Sequence, residues 1–539
     1  MKISGKLVDI QKRDIYPAEI HFENGKINSI KRIEGEPLNY ILPGLIDAHV
    51  HIESSMITPG AFAVAAVKHG TTGVVSDPHE IANVMGVAGI DFMINDSKKV
   101  PLRFWFGAPS CVPATEFETS GSSVGSSEIE TLLKRKDILY LSEMMNFPGV
   151  IYDDVEVFKK INTAKRLNKP IDGHAPGLTG IQLKKYVSAG ISTDHECSTI
   201  EEALEKISLG MKILIREGSA ARNLEALKEL IRTNPDRVML CSDDLHPEML
   251  LARHINKLVA NLINDGFNVF DVIKACTANP ALHYGIEGGF LAPGYAADFI
   301  IVDDYRKMNV LETWINGAKV FEQGKVLFDY IPGERINRFN CTLLQKEDII
   351  IARLKDKMQV IEAFDGELLT KRIVVSTVIG NEVSSDTNSD ILKIVVKDRY
   401  SDGPPAVGFI KGFGLKQGAC ASCVAHDSHN IICVGTSDEE ITSAINEVIR
   451  IKGGLSVSGA GKISSLKLGI AGIMSDSSCE EVASEYQSLS EKVKSMGCAL
   501  KAPFMTLSFM ALLVIPELKI GDKGLFDVTR FIPTGLFVD

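Results

Sequence analysis

The chain has 539 residues, 45% of them hydrophobic and 24% charged, with a formal net charge of −11. That length leaves room for roughly two to four domains with full cores, and the balance is that of a globular protein, not a disordered one. The acidic balance and the absence of any long basic run exclude a nucleic-acid backbone or an anionic membrane as the main partner.

The opening run "MKISGKLVDIQKRDIYPAEI" contains no uninterrupted apolar h-region and does not read as a secretory signal. With no such signal, ten cysteines point to free thiols in a reducing cytoplasm. The first structural signal is "AEIHFENGKINSI", where Asn24 and Gly25 lie between two alternating runs. Both residues tolerate positive φ, so the pair predicts a tight hairpin.

From residue 44 the pattern changes to short apolar strands alternating with helical periodicity. The strands read "GLIDAHVHI", "TTGVVSDP", "LRFWFGAPS", "ILYLSEMMN", "PIDGHAP", "GISTDHE", "MKILIREGS" and "RVMLCSDD". Between them, "ITPGAFAVAAVKHG", "VEVFKKINTAKRLN", "TGIQLKKYVSAG" and "NLEALKELIRTN" carry apolar residues at helical spacing. Eight such units predict a closed (β/α)₈ TIM-type barrel over residues 44–285. An open doubly wound sheet is the rival, but no Gly-rich phosphate loop follows the first strand.

Beyond the barrel, "APGYAADFIIVD" predicts a loop and a strand, and "LETWINGAKVFEQGKVLF" predicts a second hairpin at Asn316-Gly317. Residues 1–43 and 286–340 are therefore expected to form one small β-sandwich domain from both flanks of the barrel. Residues 345–539 read as a separate α+β domain. Its β-rich runs are "RIVVSTVIGNEVSSD", "DILKIVVKDRY", "GFIKGFGL" and "IICVGTSDEE", with helices expected near 438–452 and 478–496. The most apolar late run, "FMTLSFMALLVIP", is too short to span a bilayer and predicts a buried strand or helix.

Polar residues gather at the carboxyl ends of the predicted barrel strands, the face on which barrel enzymes place their chemistry. The first strand ends in His49 and His51, whose spacing puts both imidazoles on one side. The fourth carries Glu143, the fifth ends in His174, the sixth in Asp194, His195 and Glu196, and the eighth in Asp243 and Asp244. Imidazole and carboxylate groups converging without cysteine predict a divalent metal site suited to manganese, iron or zinc.

The run "PGLIDAHVHIESS", the histidines of "DGHAP" and "TDHE", and the "SDD" pair resemble the amidohydrolase superfamily. More narrowly, "SDPHEIANVMG", "LSEMMNFPGV", "CSDDLHP" and "VAHDSHNI" resemble its adenine deaminase family, and the likeness runs along the whole chain. It implies a binuclear metal centre held by His49, His51, Glu143, His174, His195 and Asp243. Glu143 would stand where many members of the superfamily carry a carbamylated lysine. Manganese or iron is the metal the resemblance favours. Two divalent ions would outweigh Glu143, Asp243 and a bridging hydroxide in charge, enough to acidify a bound water toward a pKa of about 7.

The reaction implied is hydrolysis of adenine to hypoxanthine and ammonia, in purine salvage. Asp243 would act first as general base and then as general acid to the departing amine. Addition at C6 also calls for a proton at ring N1, for which Glu80, His79 and Glu217 are the candidates. Asp244 and Glu53 are candidate substrate contacts, Glu53 with Ser54 also positioning the first-strand histidines. His426, Asp427 and His429 would reach the site from the C-terminal domain or from a neighbouring subunit. Expected partners are a small-molecule substrate and further copies of the chain, with no nucleic acid and no membrane.

Four other readings compete with this one. Another amidohydrolase activity, on cytosine, a cyclic amide or an N-acetyl sugar, would use the same metal shell, whereas an inactive scaffold would not need to keep it. A zinc finger built from Cys420, Cys423, His426, His429 and Cys433 has its pairs too close together. His246-Pro247-Glu248 matches half of the zinc nucleobase-deaminase signature, but no P-C-x-x-C follows it.

Overall fold

Both Asn-Gly pairs turn the chain as their residue types require. Asn24 and Gly25 take φ of 51° and 78°, and Asn316 and Gly317 take 51° and 69°. Two successive positive φ angles make the mirror-image turn whose twist matches that of the flanking strands. In the computed structural model, which describes residues 1–219, 222–377 and 380–539, these hairpins belong to one sheet. Tyr40–Pro43 pairs on one side with Lys2–Asp9 and on the other with Phe299–Val302. That strand joins both flanks into an eight-stranded sheet. Neighbouring residues serve opposite faces. Leu7, Ile41 and Phe299 pack in one cluster with Trp314, while Val8, Leu42 and Ile300 pack against the barrel helices.

Between the flanks run eight parallel strands: β1 (Leu45–His51), β2 (Thr71–Ser76), β3 (Arg103–Ala108), β4 (Ile138–Met144), β5 (Ile171–Gly173), β6 (Thr193–Asp194), β7 (Lys212–Arg216) and β8 (Val238–Cys241). β1 through β5 pair in order, as do β6 through β8. The two arcs meet at both seams. Ser192 N–H donates to the Ile171 carbonyl at 2.9 Å, and beyond β8 the pair Asp243–Asp244 runs parallel to Val50–His51. The result is the TIM-type barrel, its interior filled by Ala48, Val75, Tyr140, Leu214 and Met239.

Helices Pro59–Ala66, Val155–Arg166 and Gly180–Ser188 occupy the periodic stretches. The run expected as one helix over 223–234 is split into Leu224–Leu227 and Leu230–Thr233. Ile231 and Arg232 bond three residues back, to Lys228 and Glu229, and this tighter coil keeps Leu227, Leu230 and Ile231 buried.

The C-terminal domain is built on a sheet ordered Thr370–Ser376, Lys357–Ala363, Ala406–Lys411, Leu392–Lys397, Ile431–Gly435, Ala419–Ser422, Gly454–Gly459 and Lys462–Lys467. Of the β-run expected over 372–386, residues 378 and 379 lie outside the described residues. Helices Asp438–Ile451 and Cys479–Ser495 follow, each begun by a serine that accepts a bond from the first turn: Ser437 from Glu440 and Ser478 from Glu481. The late apolar run forms the buried helix Pro503–Phe509 and the turns after it. Among the described residues no helix is long and apolar enough to cross a membrane. Ser475 N–H bonds the Met56 carbonyl at 2.7 Å, so this domain sits against the loop that leaves β1.

Candidate active site

The carboxyl ends of the strands deliver their polar side chains to one place. His49 and His51 bring their Nε2 atoms to 3.1 Å from each other, and these lie 3.5 and 3.2 Å from Asp243 Oδ1. Glu143 spans the centre. Its Oε1 is 3.3 Å from His51 Nε2, and its Oε2 is 2.8 Å from His174 Nδ1 and 3.2 Å from His195 Nε2. The His49 and His195 rings stack with centroids 4.4 Å apart. None of the six side chains is more than 7% exposed.

Nitrogen lone pairs and carboxylate oxygens this close need a proton or a cation between them. Three buried sets, His49–His195–Asp243, Glu143–His174–His195 and His51–Asp77–His79–Glu143, each hold their donor atoms within 4.8 Å. A donor set of imidazoles and carboxylates gathered on one bridging glutamate fits a pair of divalent cations.

Asp243 adopts φ of 56°, in the left-handed region, at the point where the chain leaves β8. Its second oxygen is held by Arg216, whose guanidinium also forks onto both oxygens of Glu196. Burial opposes the Asp243 charge, but Arg216 and the two β1 histidines hold its pKa well below the carboxylate range.

A second polar group lies beside the first, and half of it comes from the C-terminal domain. Glu80 accepts from His426 Nδ1 and from His429 Nε2. His429 Nδ1 accepts the Ala425 N–H at 3.2 Å, which assigns the ring proton to Nε2. Burial opposes charge on Glu80, yet His426, His429 and His79 around it hold its pKa well below the usual range. Burial would likewise push His426 down, but the Glu80 carboxylate outweighs it and raises the ring to about 9. His79 Nε2 is 3.4 Å from Glu80 and 3.9 Å from Asp427. Burial pushes Asp427 up to about 6, and pushes Glu53, which accepts the Ile81 N–H, up to about 7. Asp244 accepts the Ser54 hydroxyl. The buried Arg399 holds the His426–His429 loop, reaching the carbonyls of His429 at 3.4 Å and Ala471 at 2.7 Å. Phe509 stacks on the His426 ring at 4.6 Å and, with Leu368, Leu512 and Ile515, roofs the cluster.

The structure thus brings together His49, His51, Glu143, His174, His195 and Asp243, and beside them His79, Glu80, Glu53, Asp244, His426, Asp427 and His429. Glu217 is not among them. Its carboxylate lies 3.4 Å from Arg222 and 3.8 Å from Arg253, because alternation at the end of β7 turns Arg216 inward and the next residue outward. Sequence reasoning places Glu196 at the end of the sixth strand without a role and does not single out Arg216 or Asp77, although they stand at or just past strand ends as the chosen residues do. Asp77 receives the Ser142 hydroxyl at 2.7 Å and faces His79 Nδ1 at 3.2 Å. The cysteines near 420–433 take no part: Cys420 and Cys433 face different apolar clusters, and Cys423 bonds the Gly472 carbonyl.

Residues 40–320 match the model of the amidohydrolase family, and residues 367–532 match the adenine deaminase C-terminal domain. The chain is similar over its whole length to an adenine deaminase of Methanosarcina mazei, with 51% identity covering 100% of both chains. It is similar to that of Sulfurovum sp., at 51% identity over 98% of each chain. A third, from Salinibacter ruber, is 48% identical across 100% of this chain and 99% of its own.

Proposed function

The chain belongs to the adenine deaminase family of amidohydrolases, and from that membership we propose that it hydrolyses adenine to hypoxanthine and ammonia. The observation that carries the proposal is the meeting of two residue sets. One is a buried imidazole–carboxylate shell at the barrel mouth. The other is a polar nest that the C-terminal domain completes with His426, Asp427 and His429.

His49, His51, Glu143, His174, His195 and Asp243 would hold two divalent cations, manganese or iron in this proposal, with Glu143 between the two halves. When bound, such ions supply Lewis acidity that makes water a nucleophile at neutral pH. Asp243 takes a proton from the attacking water and passes it to the amine leaving C6. Arg216 fixes the orientation of that carboxylate through its second oxygen. His79 and Glu80 are placed to handle the proton that N1 requires, and Asp244, Asp427, His426 and the Glu53 carboxyl face the remaining ring edge. Glu217 has no part, since it points away from the nest. The full ligand set argues against an inactive scaffold.

The proposal extends to a homo-oligomer in the cytoplasm. Ten cysteines, all unpaired and buried, fit a reducing compartment. Exposed Tyr152, Val155 and Ile181 offer apolar surface for a second copy.

The test is ammonia release from adenine, adenosine and cytosine by metal-free protein reconstituted separately with manganese, iron and zinc. Adenine alone should be turned over, and Asp243→Asn should lower its kcat by roughly 10²- to 10⁴-fold. Turnover of cytosine in place of adenine, or of neither with any metal, would refute the proposal.

A further inference from the structure

Just beyond the strand Leu392–Lys397, Arg399 and Tyr400 take hold of the loop that carries His426 and His429. The Tyr400 hydroxyl donates to the Ser428 carbonyl at 2.6 Å, and the Arg399 backbone N–H donates to the Asn430 side chain at 3.2 Å. The Arg399 guanidinium donates to the His429 carbonyl at 3.4 Å and to the Ala471 carbonyl at 2.7 Å. It also reaches the stretch that leads from the small sheet to this domain, at the Arg338 carbonyl (3.1 Å) and the Asn337 side chain (3.0 Å).

His429 and Ala471 both take positive φ, 55° and 51°. Residues with a Cβ hold that conformation only where their surroundings enforce it. Arg399 bonds both carbonyls, so one group enforces both turns. Gly472 completes the cradle, since a Cβ there would meet the guanidinium at 2.7 Å.

The guanidinium also brings a charge. Arg399 is fully buried, and among the described residues every oxygen that its guanidinium bonds is uncharged. The Phe339 and Tyr400 rings lie 4.8 and 5.3 Å from it. A buried cation with no carboxylate against it acts unscreened on the ionisable groups around it. His429 is one of them. Its ring is met by Glu80 from the barrel, by His426 from its own loop and by Arg399 from its backbone side, with His79 and Asp427 beyond Glu80. Burial holds the ring's pKa below its usual value; Glu80 pulls the other way, and His426 and Arg399 add to burial. The left-handed turn meanwhile aims Nε2–H at Glu80 and Nδ1 at the Ala425 N–H.

We propose that Arg399 is a positioning residue for the deamination, acting through His429: it fixes the turn that aims this ring at Glu80, and its uncompensated charge keeps the ring neutral, so that Glu80 meets one imidazolium and not two. The inference rests on the adenine deaminase reading, in which Glu80 handles the proton that N1 requires. A second imidazolium would hold Glu80 in its ionised form and impede that transfer.

The experiment measures kcat and KM for adenine between about pH 6 and 9 on the metal-loaded, full-length wild type, Arg399→Lys and Arg399→Gln, each checked by its thermal melt. Glutamine keeps donors without the charge, and lysine keeps the charge without the fork. Arg399→Gln should lower kcat by roughly tenfold near pH 6, with KM changed less, and the deficit should fade toward pH 9 as His429 gives up its extra proton. Arg399→Lys should keep the wild-type pH profile even if it melts earlier. A deficit that does not vary with pH, or a lysine variant no better than the glutamine one, would mean that Arg399 only braces the fold, and the inference would be overturned. So would a folded Arg399→Gln whose kcat stays within about twofold of wild type at every pH. If neither variant folds, the wild type still decides. Loaded with zinc and isotopically labelled histidine, its two-bond proton–nitrogen spectra should show the His429 ring neutral and protonated at Nε2 across the same range, the signal being assigned by its loss in His429→Gln. An imidazolium at His429 in that range overturns the inference. Failure of the wild type on adenine would bring down the deaminase reading, and the ring spectrum tells the two failures apart because it needs no turnover.

Discussion

Glu80→Gln separates the interdomain contact from the metal shell, because Glu80 belongs to the nest and to none of the six shell residues. In the wild type its carboxylate is held by two histidines of unlike charge. His429 is neutral: burial lowers its pKa, and its Nδ1 is already an acceptor for a backbone N–H. His426 is protonated, raised to about 9 against the push of burial. Lifting a histidine from its ordinary 6.5 to about 9 is worth roughly 3 kcal/mol to the folded form. A glutamine at position 80 can still accept from His429 and donate to His426, but only to a deprotonated ring. The variant therefore loses the charge-linked part and keeps the neutral bonds. The folded pKa lies above the unfolded one, so this stability is fully present below about pH 6.5 and is lost as pH rises through about 9. Glu80 stays ionised across that window, its own pKa being well below 4.5. Urea unfolding of both proteins should show a deficit of roughly 3 kcal/mol near pH 6 that fades toward pH 10. A deficit that is constant with pH, or grows as pH rises, would refute the pairing.

Arg216→Met should destabilise the metal-free protein by roughly 3–5 kcal/mol, because two buried carboxylates, Glu196 and Asp243, lose their shared cation. Arg216→Lys should recover part of that loss, since it keeps the charge without the fork; wild-type stability in the methionine variant would sink the argument. Lys519 is fully buried, bonds among the described residues only the carbonyls of Leu368 and Phe509, and is pushed by burial down to about 7. The unfolded chain therefore binds more protons between about pH 7 and 10.5, and folding weakens as pH falls through that range. Replacing it by Met should remove that slope, shifting the stability difference between variant and wild type by on the order of 5 kcal/mol across the window. Parallel pH profiles for the two proteins would show that the lysine stays charged.

The barrel and the convergence of the six residues proposed as its metal shell were legible because both are written locally. Strand and helix periodicity runs through 44–285, and His49, His51, Glu143, His174, His195 and Asp243 each end a strand that the sequence marks out. Alternation then decided cases in which two polar residues stood side by side. It favoured Arg216 over Glu217, a choice invisible until the register of β7 against β8 was fixed at Arg216 opposite Cys241. The pairing of Glu80 with His426 and His429 could not be read at all from spacing, because its partners are 346 and 349 residues apart. Only the stacking of the C-terminal domain on the barrel mouth brings them into contact.

This division of labour has a consequence for how the site is assembled. Every residue of the proposed metal shell lies between His49 and Asp243, so the barrel contributes that set without the domain above it. The nest and the roof do not have that independence. Glu80 without His426 and His429 would be a buried carboxylate beside only His79, and Phe509, Leu512 and Ile515 close the space over the cluster. The unmet cost of burying Glu80 alone is what the C-terminal histidines relieve, so this polar contact adds to the apolar packing that docks the domain and at the same time arranges the edge of the pocket that the proposal assigns to the ring. A substitution that weakens the contact should therefore disturb substrate recognition before it disturbs metal retention.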